Sequence, residues 1–252
     1  MNNKAIADQF ETKLNKINFN NIGLGSIIAH AVIIYLNNRP FSLKEGLKQE
    51  ANYFKIRTKL YFNSFFSKKQ IDLPDINRPF LFTLVGGDKR FKDLIYPLIA
   101  RLGYNNSALV TANDENDKIT DGLLLVPLTP YLGKVRFTKE EYDSLKIILK
   151  QAYPLIKQLK KQYNLSWQII SAIKVILIRA IIKVKFYEAL LANSQVKKVI
   201  TELDRDSKIS APLIQVANQM NIDTISLIHG STDPPDLYHP VLAKHLFCWG
   251  ER

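Results

Sequence analysis

The chain has 252 residues, of which 46% are hydrophobic and 10% aromatic. That is enough apolar material for a sizeable core, and it excludes a disordered chain. Against 23 Asp and Glu stand 35 Lys and Arg, a formal charge of +12 that favours an anionic partner such as a lipid surface, a phosphorylated substrate or nucleic acid. The lone cysteine, Cys248, excludes an internal disulfide and fits a reducing cytoplasmic setting.

The first residues, MNNKAIADQFETKL, lack the apolar run and cleavage site of a signal peptide. Residues 1–75 read as a helical N-terminal region. Phe10, Leu14 and Ile17 recur at helical spacing, and Asn18 to Asn21 form a break. A second helix is expected from about Gly25 to Leu36, and a third from Ser42, with Glu45 at the capping-box position. In the third, Tyr53, Phe54, Tyr61, Phe62, Phe65 and Phe66 alternate with Lys55, Arg57, Lys59, Lys68 and Lys69. Two readings stay open: aromatics packed on a core with lysines in water, or an interfacial helix on anionic headgroups. Ser67 to Pro79, with Pro74 and Pro79, marks a linker.

Residues 76–252 read as an α/β domain, a Rossmann-like, doubly wound and mainly parallel sheet. Strands are expected at Phe80 to Val85, Ser107 to Thr111, Leu123 to Val126, Lys198 to Leu203, Thr224 to Ile228 and His245 to Trp249. Helices are expected at Lys89 to Leu102, Lys139 to Tyr163, Ser166 to Asn193 and Ala211 to Met220. Ile22 to Leu36 is too short to span a bilayer. Leu165 to Ala192 is interrupted by Lys174, Arg179, Lys183 and Lys185, so neither reads as a spanning segment.

Three groups fall just beyond expected strand ends, where ligands of open α/β sheets bind. Gly86-Gly87 precede a helix, and their amides can approach an anion there, although GGDKR lacks the spacing of a phosphate-binding loop. Such glycines also serve turn geometry alone. Asp204-Arg205-Asp206-Ser207 can bind sugar hydroxyls or orient a base, or Asp206 and Ser207 can cap the next helix. His229-Gly230 ends a short apolar strand; its imidazole suits either a cleft or a turn. His229, His239, His245 and Cys248 match no common zinc spacing, and no metal is expected.

The last stretch, DTISLIHGSTDPPDLYHPVLAKHLFCWGER, couples a strand ending in His229-Gly230 to a Pro-rich loop with Tyr238 and Pro240, then Ala243-Lys244 and a strand ending in Trp249-Gly250. From Val199 to Arg252 it resembles GT-B-fold glycosyltransferases of bacterial surface-polysaccharide assembly, relatives of the CDP-glycerol glycerophosphotransferases and of Kdo and sialic acid transferases. The resemblance implies that His229 is a general base and Asp204 a catalytic partner that orients or binds. Gly86, Gly87, Arg205, Gly230, Ser231 and Tyr238 are then expected to contact substrate. It further implies a nucleotide-activated donor, a glycan or lipid-linked acceptor, no cofactor and no catalytic metal.

That family places its nucleotide-binding domain after this point, so the chain is expected to be the acceptor-side half, completed by a separate donor-binding domain. It would act in the cytoplasm, at the inner face of a membrane. The alternative is a non-catalytic Rossmann-like module that binds a glycan or a membrane surface. Nucleic acid is disfavoured, because no RGG, zinc-finger or RRM-like signature accompanies the charge.

Overall fold

The computed structural model describes residues 3–37, 42–66, 73–84, 89–112, 122–229 and 241–249. The chain forms two compact units, each built from two segments. One takes Met1–Ile71 and Val135–Ile182, the other Asp72–Lys134 and Lys183–Arg252.

In the first unit, α1 (Asn3–Leu14) buries Ile6, Ala7, Phe10 and Leu14. The expected break is a tight hairpin of β1 (Asn18–Phe19) and β2 (Ile22–Gly23). Asn20 and Asn21 turn it at φ of 50° and 65°, the left-handed region that asparagine tolerates better than most residues. Helix α2 (Leu24–Asn37) is buried continuously from Leu24 to Ile33. It packs closely on α1, since a Cβ at Gly25 would fall 2.1 Å from the Glu11 carbonyl oxygen. Helix α3 (Leu43–Phe66) opens on the expected capping box. Glu45 N–H donates to Ser42 Oγ (3.2 Å), while Ser42 N–H (2.8 Å) and Ser42 Oγ (2.9 Å) donate to Glu45 Oε2 and hold the Glu45 carboxyl below its ordinary range. Lys68 and Lys69 lie outside the described residues.

The second unit begins with β3 (Phe80–Leu84) and α4 (Lys89–Leu102), then a 3-10 turn, Tyr104–Asn106. β4 (Ser107–Thr111), β5 (Leu124–Pro127) and a short α5 (Leu128–Leu132) follow. Arg78 ties the sheet's entry edge by donating from one guanidinium nitrogen to the carbonyls of Tyr104 (2.7 Å), Ser107 (2.9 Å) and Gly122.

The chain then returns to the first unit with α6 (Lys139–Tyr163), capped by Thr138 and Glu141 and closed at Asn164, φ 48°. Helix α6 packs on α1 and α3, with Tyr142 against Tyr61, and just ahead of it Phe137 meets Phe19 of β1. Helix α7 (Trp167–Ala192) contributes to both units by its two ends. No described helix is long and apolar enough to cross a membrane.

β6 (Lys198–Thr201), α8 (Ser210–Gln219), β7 (Asp223–His229) and β8 (His245–Trp249) complete the second unit. Its six strands are all parallel, in the order β5-β4-β3-β6-β7-β8. Numbered by appearance within the sheet, that is the 3-2-1-4-5-6 order of the doubly wound Rossmann fold. The strands are short apolar runs because helices cover both faces. Phe82, Leu84, Leu109 and Ile200 pack on Ile95 and Ile99 of α4, while alternate residues such as Thr83 and Thr201 meet Ser210 of α8 on the other face.

Gly25→Ala should lower stability by about 1–3 kcal/mol, the cost of forcing extra volume into a packed contact. Thermal or urea unfolding measures it; an unchanged midpoint would show that α1 and α2 have room to separate.

Candidate functional site

Strand order reverses between β3 and β6: the chain leaves β3 toward β4 on one side and reaches β6 and β7 on the other. In doubly wound sheets this reversal opens a crevice at the carboxyl ends of the strands, the usual place for a ligand. The described ends of β3, β6 and β7 are neighbours there.

These ends are unusually polar for buried strands. Thr83 Oγ1 lies 2.8 Å from Thr201 Oγ1, 3.1 Å from Ser210 Oγ and 3.2 Å from Glu202 Oε2. Thr201 Oγ1 donates to Ser210 Oγ (2.8 Å) and accepts from Leu203 N–H (3.2 Å). Thr83, Thr201 and Ser210 are fully buried, and Glu202 is 2% exposed. Hydroxyls suit such a place because each both donates and accepts, so a closed ring satisfies itself without water. Ser226, opposite Thr201 in register, is also buried, with its Oγ unpartnered.

The turn after β6 is largely buried as well, at Glu202 and from Asp204 through Ser207. Asp204 Oδ2 accepts from the backbone N–H groups of Leu242 (2.6 Å) and Ala243 (2.9 Å), fixing the segment that enters β8. Burial pushes its carboxyl above the ordinary range, against the opposing pull of the two amides and the Arg205 guanidinium. Asp206 Oδ2 accepts from Lys208 N–H (2.9 Å) and Ile209 N–H (2.8 Å), so it organises the turn ahead of α8, whose N-cap residue Ile209 has no side-chain cap bond, in place of the expected cap on the helix's first turn. Lys183 Nζ donates to the Ser207 carbonyl (2.7 Å). Tyr187 is fully buried with its hydroxyl unpartnered, and burial, with the Asp206 charge second, raises its pKa well above the ordinary value.

Of the expected site residues, Asp204 and Arg205 lie in this turn, both buried. His229 ends β7, in register with Trp249 of β8. Gly86, Gly87, Gly230, Ser231 and Tyr238 lie outside the described residues. His245 stands exposed on the edge strand. No group of three His, Cys, Asp or Glu among the described residues is placed to hold a metal. Thr83, Thr201, Glu202 and Ser210 escaped the sequence reading. Their one visible signal was a threonine near the end of two apolar strands, FLFTL and KVIT.

Comparison with protein-family models, with curated proteins and with solved structures finds no match.

Removing the Asp204 carboxylate strands two amides, so Asp204→Ala should cost about 1.5–3 kcal/mol of stability. Because the folded carboxyl titrates above its unfolded value, its contribution to stability is full below the ordinary carboxylate range. That contribution is lost as pH rises through the raised value. Asp204→Asn should abolish this slope in unfolding measured across roughly pH 3–7, the range of carboxylate titration. A slope unchanged in the Asn variant would assign it to another group.

Proposed function

We propose that the protein is a glycosyltransferase-like enzyme whose α/β unit supplies the acceptor side of a GT-B-type site. It moves a sugar or polyol phosphate from a nucleotide-activated donor to a hydroxyl of a surface glycan, with a separate domain holding the donor. One observation carries the reading. Two residues that carry the resemblance, His229 and Trp249, end adjacent parallel strands in register with each other, and β7 lies one strand away from the reversal point. His229 takes the proton from the acceptor hydroxyl as its oxygen attacks the transferred group and the nucleotide departs. Histidine suits that step because its ordinary pKa lies near neutrality. Arg205 and the glycines after β3 are assigned to substrate, and a lipid-linked acceptor places the protein on the inner face of a membrane.

A second reading, a non-catalytic glycan-binding module, is favoured by Asp204. Its carboxylate is committed to the Leu242 and Ala243 amides, a structural tie in place of a free catalytic group.

The test joins or mixes the full chain with its donor-binding half, adds a panel of nucleotide-activated sugars and polyols and a lipid-linked glycan acceptor, and follows nucleotide release. His229→Ala should lower turnover ~100- to 10,000-fold while the melting temperature holds. Turnover within about threefold of wild type would remove His229 as the base. Glycan binding without release from any donor would favour the module.

A further inference from the structure

Six of the eleven exposed large hydrophobic side chains among the described residues lie on α3. Leu43, Leu47, Phe54, Tyr61 and Phe65 recur at intervals of four and seven residues, the spacing of one helical face. Leu43 is 64% exposed, Leu47 58%, Phe54 57% and Phe65 50%, and Phe62 beside them 55%. At its far end the stripe meets α6, where Tyr61 touches Tyr142 and Lys139 lies over the Phe65 ring; the inner face lies on another side of the helix. Tyr53, Leu60 and Ser64 are buried, and Gly46 sits against the Trp167 ring and Gln168. The aromatics of this helix therefore divide: Tyr53 packs inward, while Phe54, Phe62 and Phe65 face out.

Charge follows the same geometry. Lys44, Lys48, Lys55 and Lys59 are all exposed and fall on one flank of the stripe, roughly 80–140° around the helix from Phe54. The two acidic residues of α3 are engaged elsewhere. Glu45 closes the N-terminal cap, and Glu50 accepts from Ser171 Oγ (2.6 Å) and Lys174 Nζ (3.3 Å). What the outer face presents is an apolar ridge with a lysine border.

We propose that this face of α3 docks on an anionic lipid bilayer, lying in the plane of the interface. The ridge enters the acyl boundary, while the lysines reach headgroup phosphates along their apolar stems. Charge complementarity selects this occupant. A second copy in antiparallel contact would set lysine flank against lysine flank, and two chains of +12 repel each other. Each lysine near an anionic surface is worth about fivefold in affinity, an attraction that salt screens. The proposal deepens the membrane placement given above and does not depend on the transfer chemistry.

The experiment is cosedimentation of the full chain with phosphatidylcholine vesicles, with and without phosphatidylglycerol, from low to high salt. Binding is expected to the anionic vesicles only, and to fall at least about tenfold as salt rises. Replacing Lys44, Lys48, Lys55 and Lys59 by Gln should weaken it at low salt. A Phe54→Ser, Phe65→Ser pair should weaken it at every salt concentration, and thermal melting checks that both variants fold. Equal binding to neutral vesicles, no binding to anionic ones, or indifference to both variant sets would overturn the proposal. So would self-association of the wild type that the Phe54→Ser, Phe65→Ser pair abolishes, which would make the ridge a contact between copies. His229→Ala should bind vesicles normally. Loss of transfer with vesicle binding intact therefore bears on the catalytic reading alone, and loss of vesicle binding with transfer to a soluble acceptor intact bears on this surface alone.

Discussion

β3 and β6 lie side by side although Thr83 and Thr201 are separated by 118 positions in sequence, and the whole sheet depends on that pairing. Bringing such distant strands together carries a loop-closure cost that local structure cannot offset. Apolar rows on one face provide the driving force, with Phe82, Leu84 and Ile200 in a common cluster. The hydroxyls on the other face provide the register. A slip of one residue would turn Thr83 and Thr201 toward α4 and leave buried hydroxyls without partners, at about 1–3 kcal/mol each.

The reversal of strand order therefore coincides with a polar patch in which Thr83, Thr201 and Ser210 satisfy one another while Ser226 Oγ stays unpartnered. From it the turn after β6 reaches in two directions. Asp206 fixes the approach to α8, and Asp204 fixes the approach to β8, on the far side of the 230–240 segment. The two carboxylates hold the elements that flank the end of β7, where His229 sits in register with Trp249.

Much of this architecture was legible in the residues. The helices at Lys89–Leu102 and Lys139–Tyr163 and the strands at Ser107–Thr111 and His245–Trp249 fall where apolar period and punctuation put them. Ser42 with Glu45 announced the start of α3. The hairpin at Asn20-Asn21 was hidden because its strands have two residues each, too few for alternation to register. The hydroxyl ring was hidden because threonine is an ordinary strand residue, and only the pairing of β3 with β6 gives Thr83 and Thr201 a common purpose. Asp204 could be placed at a strand end, but its amide partners lie 38 and 39 residues away and leave no local pattern. For α3, the sequence left two roles open for its aromatics, and the fold buries Tyr53 while leaving Phe54 exposed.

That the carboxyl ends of β3, β6 and β7 form the ligand site can be measured directly, through the backbone amide NMR shifts of the full chain titrated with a phosphorylated glycan acceptor. The largest changes should fall on Leu84, on Glu202 through Ser207 and on His229, with the opposite sheet edge at Lys198 and Asp223 unmoved. Saturable changes confined to that opposite edge, or to α1 and α2, would contradict the assignment of the reversal point as the site.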